Sequence, residues 1–234
     1  VSDQERRTEL ERNLAAVRDR IARACEGAGR DPGELTLVAV TKFFPAADVD
    51  LLADLGITDI GENRDQEVSA KLRDVARRDD LRVHFIGQLQ SKKAASVVRY
   101  ADVVQSVDRP KLVHALESAA ASAGRALDVL VQVNLDEARG RGGVAPEGAV
   151  ELAGLVADSG HLRLRGVMAV APLGADPAPA FAQLREVAGA VRDRQPDATW
   201  VSAGMSGDLE AAITHGATHL RVGSAILGTR QPHR

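Results

Sequence analysis

Aromatic residues are scarce in this chain: 3% of 234 positions, with one tryptophan, one tyrosine and four phenylalanines. The formal net charge is only -3, and Arg is mixed with Asp and Glu throughout. A nucleic-acid surface would gather basic residues on one stripe and interleave them with stacking rings, so none is expected. Cysteine is almost absent too. Cys25 alone excludes an internal disulfide and any cysteine-based zinc cluster, and its place in a helical pattern reads as a packed thiol. No apolar run reaches the roughly 18–20 residues that cross a bilayer, and the polar opening VSDQERRTELER is not a secretory signal. The expectation is a cytoplasmic protein with neither a membrane nor a nucleic-acid partner.

What is present is apolar periodicity. At 44% hydrophobic the chain can bury a sizeable core. Leu10, Leu14, Val17, Ile21 and Ala24 recur at helical steps from Asp3 to about Gly29, predicting an amphipathic helix ahead of the first strand. Then short β-type runs alternate with helical ones: LTLVAVT, ITDIGE, RVHFIG, ADVVQSV, LDVLVQVN, LRLRGVMAV, ATWVSAG and THLRVGSAI each precede a helical stretch. The helices include RDQEVSAKLRDVARR and a segment from Lys92 to Arg99. Strand runs that are apolar on both faces belong to a parallel sheet covered by helices. Eight such units in about 200 residues predict an α/β fold, a (β/α)8 TIM-type barrel. It would span residues 35–228 with an extra N-terminal helix in 1–30; no Pro/Gly/Ser-rich linker divides the chain, so 1–234 is read as one domain.

In such a barrel the chemistry sits where strands end. The first strand ends in Thr41-Lys42, the second in Gly61-Glu62-Asn63, the third in His84-Phe85-Ile86-Gly87-Gln88 and the fifth in Gln132-Val133-Asn134. The sixth ends near Met168, the seventh in Ser202-Ala203-Gly204-Met205-Ser206-Gly207 and the eighth in Arg221-Val222-Gly223-Ser224. The last two carry glycine and a hydroxyl just before a helix, where free N–H groups and the helix dipole favour a phosphate; either serine alone would read as an N-cap. A lysine at a barrel mouth loses hydration, which favours a neutral amine able to form a Schiff base. An isolated strand-end lysine would snorkel or pair with Glu62, but opposite a phosphate site it suggests a phosphorylated aldehyde.

The ordered motifs AVTKFFP, GENRDQE, HFIGQLQSKK, RLRGVMAV, SAGMSGDLEAAI and RVGSAILG resemble the pyridoxal-phosphate homeostasis proteins, the YggS/PROSC-type family related to the alanine racemase barrel. The resemblance runs from about Leu35 to Gly228. It implies that Lys42 carries pyridoxal 5′-phosphate (PLP) as a Schiff base and that Ser206, Gly223 and Ser224 hold the phosphate. It further implies that Arg221 lies against the pyridine nitrogen, that Asn63 lies near the ring, and that Met205 and Met168 line the pocket. The chain departs from the family at Arg64, where an aromatic tyrosine is usual, and at Lys92, where the family has asparagine; Ser224 keeps the hydroxyl of the usual threonine.

Arginine can only donate, so Arg221 would leave the pyridine nitrogen unprotonated and the ring a weaker electron sink. A racemase also needs a second acid/base on the other face of the cofactor. The related racemases draw a tyrosine from a further domain, whereas the one tyrosine here, Tyr100, follows a helix at the far end of the barrel. The reading is a monomeric PLP carrier that can serve PLP-dependent apo-enzymes and has no catalytic residue other than, at most, Lys42. The alternatives are a small PLP-dependent amino-acid racemase or lyase, and an aldolase-like barrel in which Lys42 binds a sugar phosphate without cofactor. Lys92-Lys93 and Arg139-Gly140-Arg141-Gly142-Gly143 read as solvated surface. His215 and His219 are split by Gly216, so no metal site is expected. At least one of Phe43 and Phe44 should shield the loop or pocket rim.

Overall fold

A computed structural model describes residues 2–136 and 142–228. Helix α1, Asp3–Ala28, begins at a capping box in which Ser2 and Glu5 exchange hydrogen bonds, and it ends on Gly29 in the left-handed conformation. Eight strands follow: β1 Thr36–Val40, β2 Asp59–Glu62, β3 Arg82–Phe85, β4 Val103–Val107, β5 Leu127–Gln132, β6 Leu162–Met168, β7 Trp200–Ser202 and β8 His219–Val222. They pair in parallel, in chain order, and close through β1 and β8 into the expected barrel. The helices are α2 Ala46–Asp54, α3 Asp65–Asp74, α4 Ala94–Val97, α5 Pro110–Ser122, α6 Ala149–Ala157, α7 Pro177–Arg194, α8 Leu209–Thr214 and α9 Ser224–Leu227. No helix among the described residues is long and apolar enough to cross a membrane.

Three boundaries differ from expectation for local reasons. Helix α3 stops at Asp74 because Val75 turns extended to bury its side chain, and the amides of Ala76 and Arg77 donate to Asp50 at 3.2 and 2.9 Å. The segment after β3 divides into a 3-10 turn, Ser91–Lys93, and the single turn of α4. Pro45, whose missing N–H suits the first position of a helix, stands one residue earlier as the N-cap of α2.

Most apolar side chains pack between the strands and the surrounding helices, with Leu10, Leu14, Val17, Ile21 and Cys25 of α1 in the same layer. Burial raises the Cys25 thiol above its usual pKa, as a packing role requires. Inside the barrel Val103, Leu130 and Met168, flanked by Val170 and Trp200, form a separate small apolar cluster. Buried polar side chains share the lumen with these and with Val38 and Val40 of β1. Gln105 on β4 bonds to Ser202 on β7 at 2.6 Å, and side chains of such distant strands can meet only across the barrel. Arg139, Gly140 and Arg141 lie outside the described residues.

Candidate cofactor site

Strand parity brings Lys42 to the mouth. Leu37 and Ala39 belong to the strand–helix layer while Val38 and Val40 do not, so the even-numbered positions of β1 face the lumen and Lys42 continues that row. A tight turn ends the strand there, closed by the Phe44 amide donating to the Thr41 carbonyl at 3.1 Å. Lys42 and Phe43 form its corners. Phe43 has φ 70°, a left-handed conformation that costs a bulky residue about 1–3 kcal/mol and that type II turns use at the second corner. Its ring centroid lies 5.9 Å from Lys42 Nζ and 5.3 Å from Arg64 Cζ. Phe43 is therefore the rim phenylalanine, and Arg64 serves it from the position where the family has an aromatic. Phe44 turns toward Arg6, 5.8 Å from its ring, and toward the core.

Glu62 is not the partner of Lys42. It sits on the helix side of β2, 2% exposed, where it pairs with Lys71 and accepts from Thr41 Oγ1 at 2.6 Å. Lys71 also donates to the Thr41 carbonyl at 2.9 Å, bracing the turn from below. Among the described residues Lys42 has no carboxylate partner. Asn63, half-buried, lies just past the end of β2, two residues beyond Gly61, which pairs with Val40 of β1.

The loops after β7 and β8 approach this mouth through their glycines. A Cβ on Gly223 would stand 3.3 Å from the Val40 carbonyl, so a bare backbone passes close to the end of β1. Gly204 has φ 90°, and a Cβ there would lie 2.6 Å from that of Ala212. Ser206 Oγ accepts from the Ala225 amide at 3.3 Å and ties the loops together, while the Met205 amide donates to Asp208 Oδ1 at 2.6 Å. No described residue accepts from the amides of Ser206, Gly207 or Ser224. Three unpaired donors in two adjoining loops suit a phosphate-like anion. Helices α8 and α9 have six and four residues, so these amides carry the case and the helix dipole expected from sequence adds little.

Arg221 lies below this rim, 4% exposed. Its Nη1 donates to Ser202 Oγ at 2.7 Å and its Nη2 to the Ala169 carbonyl at 2.9 Å. Burial pushes its pKa down to about 10, against the pull of the Asp208 charge, so it stays a cationic donor at neutral pH. Met205 is half-buried in the β7 loop, whereas Met168 belongs to the inner core with Val103 and Leu130. His84, expected at a strand tip, is fully buried inside the barrel. Gln132 donates to the Gly142 carbonyl at 3.1 Å and Asn134 accepts from the Asp136 amide at 2.9 Å, so these tips hold their own loop. His215 caps α8 and His219 lies within β8, and no group of metal-binding side chains occurs among the described residues.

Tyr100 is no candidate acid/base. Its backbone carbonyl accepts from Arg78 at 2.7 Å, and its ring packs in the strand–helix layer rather than the lumen. Burial, then the charges of Asp65 and Glu62, raise its hydroxyl well above the ordinary phenol range. Sequence reading missed Arg20, Lys71 and Gln105, and took Ser202 only as part of a strand tip. For Gln105 and Ser202 the signal was present, as polar residues at lumen parity within otherwise apolar strands.

A family profile described as alanine racemase, N-terminal domain, matches residues 12–231. The chain is 43% identical to the pyridoxal phosphate homeostasis protein of Mycobacterium tuberculosis, over 97% of this chain and 95% of that one. The structure of PipY from Synechococcus elongatus with PLP bound superposes with a TM-score of 0.83 at 32% identity, covering 94% of this chain and 100% of PipY. Alanine racemase from Corynebacterium glutamicum shares the fold, with a TM-score of 0.69 at 15% identity over 91% of this chain and 60% of the racemase.

Proposed function

The chain belongs to the family of pyridoxal phosphate homeostasis proteins, and from that premise we propose that it holds pyridoxal 5′-phosphate as a Schiff base on Lys42 and carries it without strong catalysis of its own. The observation that supports this reading is the grouping at one end of the barrel: a lysine just past the end of β1, two glycine-lined loops with three amides that meet no acceptor among the described residues, and a buried guanidinium. The donor set fits the group. Lys42 supplies the amine for the aldehyde; Ser206, Gly223 and Ser224 supply hydroxyls and close backbone for the phosphate; Arg221 supplies a donor for the ring nitrogen. Asn63 and Met205 flank the ring, and the Phe43 ring limits access of water to the amine.

When bound, the cofactor offers an electrophilic carbon and a ring that can stabilise a carbanion. This chain weakens the second property. Arg221 remains protonated, so it donates to the ring nitrogen and cannot accept from it. The only tyrosine is packed outside the lumen with a raised pKa, leaving Lys42 without an opposing acid/base among the described residues. The reading extends to residues 1–234 acting as one unit, to a cytoplasmic monomer, and to PLP-dependent apo-enzymes as recipients of the cofactor.

The racemase reading has one observation in its favour, the shared barrel. Exchange of amino-acid α-protons in deuterium oxide decides between the two. The carrier account expects exchange with several amino acids to stay near that of free PLP, and turnover at about 1–1000 per second would overturn it. If added PLP produced no new absorbance band, the aldolase-like reading would replace both.

A further inference from the structure

The buried Arg221 touches no carboxylate, yet a chain of side chains leads from it to one at the opposite mouth. Arg221 Nη1 meets Ser202 Oγ at 2.7 Å, Ser202 Oγ meets Gln105 Oε1 at 2.6 Å, Gln105 Nε2 meets His84 Nδ1 at 2.8 Å, and His84 Nε2 meets Asp59 Oδ1 at 2.8 Å. All five residues are buried: Ser202, Gln105 and His84 at 0%, Arg221 at 4% and Asp59 at 8% exposure. They come from β8, β7, β4, β3 and β2, so the chain crosses the whole lumen.

The chemistry gives this chain one direction. A guanidinium only donates, so Ser202 Oγ accepts from it and turns its own proton to Gln105 Oε1. That leaves the Gln105 amide nitrogen to donate to His84 Nδ1, which is then the unprotonated ring nitrogen. His84 Nε2–H donates in turn to Asp59, whose other oxygen accepts from Thr58 Oγ1 at 2.7 Å. Every donor points from cation to anion, the arrangement in which each hydrogen bond polarises the next. An apolar replacement at 105 would break the line and leave two buried polar groups unpaired.

We propose that Ser202, Gln105 and His84 are positioning residues that fix the Arg221 guanidinium and link it to Asp59 as its remote counter-charge, so that its remaining N–H groups present to an unprotonated aromatic ring nitrogen at the C-terminal mouth. The relay toward Arg221 stands on side-chain geometry, and the ring nitrogen as target rests on the proposed PLP binding.

Two readouts on the full chain keep these apart. In PLP-free protein, proton exchange of the Arg221 guanidinium is followed by nitrogen-15 NMR. Gln105→Met accelerates it at least about tenfold and Asp59→Asn, at the distant end, at least about threefold. Leu130→Ala, which loosens the same lumen without touching the chain, leaves it unchanged. In PLP-loaded protein the same two chain variants shift the absorbance maximum while Leu130→Ala does not. Unchanged exchange in Asp59→Asn, or equal acceleration in Leu130→Ala, overturns the relay. A changed exchange rate in protein that takes up no PLP would uphold the relay and remove its target.

Discussion

Lys42 shows how one side chain depends on others that never touch its chemistry. Its turn is held by Thr41, and Thr41 is held by Glu62 and Lys71, a pair in which Glu62 is 2% exposed and Lys71 11%. Removing one member of a buried ion pair leaves an uncompensated charge, which costs roughly 3–5 kcal/mol. Lys71→Ala is expected to lower the urea unfolding free energy by about that amount, and adding Glu62→Gln should recover most of it; if the single variant matches the parent, the pair does not brace the turn. At this scale the sequence was legible where a residue is set by the end of a strand, as with Lys42 after β1 and Arg221 in β8. It was silent on pairing: Glu62 lay next to the right turn, but only the three-dimensional position of Lys71, on α3, decides which lysine it serves.

Among the elements, α1 has the clearest bearing on the site. The sequence marked it as an amphipathic helix ahead of the barrel, and its apolar stripe does pack there. Its polar face does more. Arg20 donates to the Ser206 carbonyl at 3.0 Å and grips Glu210 of α8 at 2.7 and 2.9 Å. Asn13 donates to the Ile226 carbonyl at 3.0 Å and Arg6 to that of Leu227 at 3.1 Å. One helix thereby pins both loops of the proposed phosphate cradle. Arg20→Ala should weaken PLP about tenfold, roughly 1.4 kcal/mol, and leave pyridoxal, which lacks the phosphate, unchanged. Equal losses for the two ligands by absorbance titration would assign Arg20 to general stability. Helix periodicity predicted that α1 packs on the barrel, while the targets of its arginines are carbonyls about 190–220 positions away, which no local pattern encodes.

For the molecule as a whole, eight repeats of one apolar strand followed by one amphipathic helix made the barrel readable in advance, and even its poorly aromatic composition fits a core filled by Val, Leu and Ala. The connections across the lumen were not readable, because polar residues visible singly in apolar strands join into a network only once the barrel closes. That lumen has a consequence for acid stability. Burial, reinforced by neighbouring His84, pushes the pKa of His219 down to about 3. An unfolded histidine titrates near 6.5, so between those values the unfolded chain takes up a proton that the native chain refuses. Stability from this residue is complete above the unfolded value and is lost as pH falls toward 3, at up to about 1.4 kcal/mol per pH unit. Urea unfolding at pH 7 and pH 5 should show a smaller drop for His219→Gln than for the parent; parallel drops would place the acid sensitivity elsewhere. The central claim remains the covalent anchor at the barrel mouth, and borohydride reduction of the PLP-loaded protein followed by peptide mapping tests it most directly. A single stable adduct is expected on Lys42 and none in Lys42→Ala; an adduct on any other lysine, or an undiminished one in that variant, would rule the anchor out.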